Sequence, residues 1–76
     1  MKNLFIKLNT IEDVRNFVNI VSKYRTEIDL KSGRYVVDAK SIMGIFSLDL
    51  LQPIEMTIHD DSADDIIKDI DKYIIK

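Results

Sequence analysis

The sequence predicts an α+β fold: a four-stranded, mainly antiparallel sheet with three helices on one face and the other face open. Three observations lead there. Segments alternating at period two and segments with apolar residues at helical spacing follow each other in the order β-α-β-β-α-β-α. The predicted strands are apolar on one face only, as suits a sheet covered on a single side. The second and third strands are separated by little more than Ser32 and Gly33, which makes them hairpin neighbours.

The first strand is NLFIKL, from Asn3 to Leu8, bounded by Asn9. Thr10 opens an amphipathic helix in which Ile11, Val14, Phe17, Val18 and Val21 recur at helical spacing. Its hydroxyl can cap a first-turn amide, and Glu12 and Asp13 stand where the helix dipole favours negative charge. TEIDLKS places Ile28 and Leu30 on one face, and RYVVDA follows across a turn for which Gly33 supplies the positive φ. Ser41 is the N-cap of a second, short helix. In PIEMTIH, Ile54, Met56 and Ile58 point inward and Glu55, Thr57 and His59 outward, with Pro53 at the strand start where no ladder donor is lost. The last helix has Ser62 as N-cap, Asp64 and Asp65 in its first turn, and Ile67, Ile70 and Ile74 as its apolar stripe.

At 76 residues, 1–76 read as a single small domain. A chain of this size buries only about 60% of its unfolded surface, so the core is modest. Hydrophobic residues at 46% and charged residues at 32% are globular composition, with too many core formers for a disordered tail. There is no cysteine, which excludes disulfides, thiolate nucleophiles and cysteine-ligated metal. A net charge of −2 without a basic cluster argues against nucleic acid as a partner. No apolar run approaches a membrane span and no secretory h-region follows Met1, so the expected compartment is the cytoplasm.

The stretch DAKSIMGIFSLDL is the most informative. Ile45 and Leu48 share one side of the helix after Ser41, and Met43 and Phe46 share another. A two-turn helix on a sheet can bury only one side. The rest is either covered by neighbours such as Leu50 and Leu51 or is a patch for a partner. Ser41 itself is a cap by default, with phosphorylation as the functional alternative, since a phosphoserine there meets free amides and the positive dipole end. His59, the only histidine, precedes Asp60 and Asp61, a pattern too generic for a metal site. Asp60, Asp61, Asp64 and Asp65 lack calcium-loop spacing and suit a solvated turn and a helix start. No cofactor is implied, and no set of polar residues converges on an enzyme active site.

DAKSIMGIFSLDLLQPIEMTI resembles the HPr family, the phosphocarrier proteins of the bacterial phosphotransferase system, whose second helix carries K-S-I/L-M-G-x-x-S-L before an x-V-T-I strand. SKYRTEIDL is similar to the family's S-K-F-x-S-x-I-x-L. The resemblance covers nearly the whole chain and implies an HPr-like open-faced β-sandwich. It also implies two sites. The first is a phosphate-carrying histidine in a G-I/L-H-A/S-R-P loop ahead of the first helix. Here FIKLNTIEDVRNF has neither that histidine nor the arginine-proline pair, and the connection shrinks to about Asn9 and Thr10. Glu12 and Asp13 would also repel an added dianion. The second site is kept: Ser41 matches the serine that an HPr kinase phosphorylates in Gram-positive members, after which a catabolite-control transcription factor binds. Ile42, Met43 and Gly44 match its neighbours, and Phe46 replaces a usual methionine. Asp49 and Pro53 stand where the family often has glycine, and Asp49, at the end of the second helix, bears on the choice of partner.

The expectation is therefore a non-enzymatic regulatory or adaptor protein acting through Ser41, Ile42, Met43 and Phe46, without metal, membrane or nucleic acid. Its partner would be a protein such as an HPr kinase or a catabolite-control transcription factor. A degenerate phosphocarrier using His59, and a homodimer formed through the apolar helix, stay open at this point.

Overall fold

The computed structural model describes Met1–Ile75. Its elements are β1 (Lys2–Ile6), α1 (Ile11–Val21), β2 (Ile28–Ser32), β3 (Tyr35–Asp38), α2 (Ile42–Phe46), β4 (Ile54–Ile58) and α3 (Asp64–Asp69), followed by a 3-10 turn at Asp71–Tyr73. The strands form one antiparallel sheet in the order β1-β4-β2-β3.

Register settles which face is covered. Leu4 pairs with Met56, Met56 with Leu30, and Leu30 with Val37, so one apolar row crosses all four strands on the helix side. Ile28, Ile54 and Ile58 lie on that side and are buried. The opposite row runs Asn3, Thr57, Asp29, Asp38, a polar set suited to an open face. Above the inner face, Val14, Phe17 and Val21 of α1 and Ile66 of α3 complete the core, and the Phe17 ring meets the Tyr73 ring edge-on at 6.0 Å.

The caps and turns follow local chemistry. Thr10 Oγ1 accepts the Asp13 amide at 3.0 Å, and Asp13 Oδ2 in return accepts the Asn9 amide at 3.0 Å. In the β2–β3 hairpin Gly33 takes φ +60°, and no other described residue has positive φ, which is the pattern of a type II′ turn.

Four expectations shift. Ile11, the first residue of α1, leaves the buried stripe and is 67% exposed. β1 ends at Ile6 rather than Leu8; Lys7 turns its amide to the Tyr73 carbonyl at 2.8 Å and Leu8 drops into the core. The connection to α1 is thus Lys7–Thr10. Ser62 is not the cap of α3: its amide donates to Asp60 Oδ1 at 2.9 Å in a tight turn, and buried Ala63 takes the cap position without a side-chain bond. The stripe of α3 also rotates. The helix stops at Asp69 and tightens into the 3-10 turn, so Ile66, Ile70 and Tyr73 are buried while Ile67 and Ile74 are half-buried. Ile74 instead bridges to Ile6, and the Ile75 amide donates to the Phe5 carbonyl at 2.9 Å, closing the outer edge of β1.

Candidate functional site

The α2 face is built from the end of β3. Asp38 Oδ1 accepts the Lys40 amide at 2.8 Å and the Asp38 carbonyl accepts the Ser41 amide at 3.0 Å, so the chain turns sharply into the helix. Ser41 has extended backbone angles, φ −99° and ψ 104°, and its Oγ accepts the Gly44 amide at 3.1 Å. It is the N-cap that its sequence position predicts. Lys40 Nζ donates to the Tyr24 carbonyl at 2.6 Å, which ties the start of α2 to the loop after α1. Gly44 lets the helix descend onto β3: a β-carbon there would stand 3.2 Å from Val37 Cβ. At the far end Ser47 Oγ donates to the Gly44 carbonyl at 2.5 Å.

This placement divides the apolar residues of α2. Ile45 and Leu48 are buried, Ile42 is half-buried against the core, and Met43 and Phe46 stay 76% and 39% exposed. Leu51, in the loop after α2, is 83% exposed, so it does not cover them as a core residue would. Of the expected contact residues, Met43 faces outward, Phe46 is exposed over about two-fifths of its surface, and Ile42 divides its side chain between core and surface.

The β1–α1 connection meets the same region. Lys7 Nζ donates to the Leu50 carbonyl at 2.8 Å, joining that connection to the loop after α2. The connection contains no histidine. Glu12 lies in the first turn of α1 with Arg15 Nη1 3.6 Å from its Oε1, an exposed pair of little energetic weight.

His59 lies elsewhere. Lys2 pairs with Ile58 and Ile6 with Ile54, so the end of β4 is the full length of β1 away from the β1–α1 connection, roughly 15 Å at the strand rise. Its Nε2 stands 2.8 Å from Asp29 Oδ2, beside an open depression shared with Met1, Asp60 and Asp61. The pair sets an imidazole against a carboxylate that faces Asp38 directly across the ladder. Among the described residues no three histidine or acidic side chains are close enough to share a metal ion. Asp64 and Asp65 lie in the first turn of α3, where the helix dipole favours them. No helix of the described residues is long and apolar enough to cross a membrane.

The family model described as the PTS HPr component phosphorylation site matches residues 14–76. The chain belongs to the HPr family. The match begins at Val14, after the β1–α1 connection, and includes all of α2. Solved structures agree with this HPr-family assignment. The crystal structure of HPr-C-His from Thermoanaerobacter tengcongensis superposes with a TM-score of 0.79 at 28% identity, over 95% of this chain and 89% of that one. The phosphocarrier protein HPr from Bacillus anthracis gives 0.71 at 23% identity, over 97% and 94% of the two chains. A mycoplasma histidine-containing phosphocarrier protein gives 0.71 at 18% identity, over 93% and 86%; these last two show the shared fold. No curated protein matches the chain.

Sequence reasoning missed the two ties that position this region, from Lys7 to the Leu50 carbonyl and from Lys40 to the Tyr24 carbonyl. A lysine aimed at a distant backbone carbonyl leaves no periodic or motif signal. Of the two residues offered as cover in one of the alternatives, Leu50 packs against the core and Leu51 is exposed, a difference that spacing in a loop does not give.

Proposed function

We propose that this HPr-family protein acts as a regulatory or adaptor protein through the α2 face, and that it does not carry phosphate on a histidine. The supporting observation is the division of α2 and the turn after it: Ile45 and Leu48 are buried and Ile42 packs against the core, yet Met43 and Phe46 remain exposed beside the Ser41 cap. Large apolar side chains exposed together mark a docking surface more often than a bare one. The histidine-free connection Lys7–Thr10 and the distance of His59 from it support the second half of the proposal.

In this reading Met43 and Phe46, with the exposed part of Ile42, are the apolar contact. Ser41 is the candidate phosphate acceptor. Its Oγ already accepts an amide at the helix start, and a phosphate on the same oxygen adds acceptors where α2 presents its unbonded first-turn amides. The partner is a protein, with an HPr kinase acting on Ser41 and a catabolite-control transcription factor binding the product as the family's candidates.

Intact-mass spectrometry after incubation with an HPr kinase and ATP tests the serine. A single added phosphate on the wild type, absent from Ser41→Ala, is the expected result. No addition leaves Ser41 as a cap alone. Capture of partners by tagged protein tests the apolar contact: Met43→Ser with Phe46→Ser abolishes capture, and undiminished capture sinks the proposed face.

A further inference from the structure

The two edges of the sheet are not alike. The β1 edge is closed by the Lys7–Tyr73 and Ile75–Phe5 backbone bonds and the Ile6–Ile74 bridge. Along β3 no described segment pairs with the outer side. Ser32 and Tyr35 flank the two-residue hairpin loop, so Tyr35 directs its amide and carbonyl to β2. By the alternation of an antiparallel ladder, Val36 directs its own outward. The Val36 side chain is 59% exposed as well. Such an edge is a template for another strand.

Charge says which strand. Arg34, in the hairpin loop just before β3, and Asp38, its last residue, stand two residues to either side of Val36, one at each end of the edge. Arg34 makes no ion pair among the described residues. One Oδ of Asp38 holds the Lys40 amide, leaving the other oxygen to a partner. An edge that is positive at one end, apolar at its centre and negative at the other is complementary to itself turned through a half-circle.

We propose that two copies of this chain pair along β3 about a two-fold axis, Val36 against the partner's Val36. Arg34 then opposes the partner's Asp38 at both ends, and Tyr35 opposes the partner's Val37 on the helix side. Opposed residues must share a face, which excludes pairing Val36 with the partner's Val37. Centring on Val37 instead sets Asp38 against the partner's Val36 and loses both charge pairs. The two sheets join into one. The seam is short, and a strand pair of this length buries less than the roughly 1,200 Å² of stable complexes, so the dimer is weak and forms at high concentration.

Sedimentation equilibrium from micromolar to millimolar protein tests this. The weight-average mass of the wild type rises toward twice the monomer. Val36→Pro keeps the fold, because the Val36 amide is not used in the β2 ladder, and stays monomeric throughout. Arg34→Glu and Asp38→Lys are each monomeric alone, since both of their self-pairs oppose like charges. Mixed in equal amounts they associate at least as well as the wild type, a rescue that a folding defect does not produce. A wild type that stays monomeric at millimolar concentration overturns the proposal. So does a dimer that Val36→Pro leaves intact, or a mixture of the two charge variants that does not associate.

Discussion

Gly44 lies against both Ser41 and Val37: a β-carbon built on it would stand 3.1 Å from Ser41 Oγ and 3.2 Å from Val37 Cβ. The same absence of a side chain lets α2 sit low on β3 and lets the serine reach the Gly44 amide. The cap and the packing of the helix are one arrangement.

Gly44→Ala separates these effects from helix propensity. Alanine gains about 1 kcal/mol over glycine in a helix. Overpacking against the capping serine and a strand valine costs about 1–3 kcal/mol. The expected net is a loss of about 1 kcal/mol, read as a lower urea midpoint at unchanged m value.

Ser41→Ala removes the acceptor at the start of α2 and should cost about 1 kcal/mol. Ser41→Asp supplies another good acceptor and should stay within about 0.5 kcal/mol of the wild type. Equal losses in the two variants would show that the hydroxyl contributes something other than a cap.

Tyr24 gives a spectroscopic handle. Its phenol donates to Asp69 in a short hydrogen bond. That bond, then partial desolvation and the negative charges of Asp69 and Asp65, hold its pKa up, at about 12 against an ordinary 10.0. The sign follows from the neutral form being the one favoured in the fold. The stabilisation is complete below pH 10, the unfolded value, and is lost as pH rises through about 12. An ultraviolet titration of phenolate should therefore show one tyrosine ionising near 12, and Asp69→Asn should bring it down.

Tyr73 is buried, and its hydroxyl has no hydrogen-bond partner among the described residues. Desolvating an unpaired hydroxyl costs about 1–3 kcal/mol. Tyr73→Phe keeps the ring against Phe17 and should raise the thermal midpoint; Tyr73→Ala should lower stability by about 3–5 kcal/mol.

Much of the fold was legible because one-sided elements carry their facing in their spacing. Ile54, Met56 and Ile58 alternate, Val14, Phe17 and Val21 recur at helical steps, and all six are buried. Ile45 and Leu48 could be separated from Met43 and Phe46 on the same grounds. The tail of the chain was not legible in this way. Ile67, Ile70 and Ile74 suit an unbroken helix, but the chain tightens after Asp69, and Tyr73 rather than Ile74 turns inward. Ser62 looked like a cap because serine favours that position, and Asp60 took its amide instead. The candidate site was legible as a helix face. Its ties through Lys7 and Lys40 were not, since backbone carbonyls look the same in every sequence.

The closed edge of β1 bears on the order of assembly during synthesis. β1 is made before β4, its ladder partner, and its other side waits for Tyr73 and Ile75. Until β4 emerges, Leu4 and Ile6 lack their ladder partners Met56 and Ile54, and until Tyr73 and Ile75 emerge the outer side of β1 stays unbonded. Residues 73–75 thus complete the hydrogen bonding of the first strand, so removing them reopens the outer side of β1 at the opposite end of the sequence.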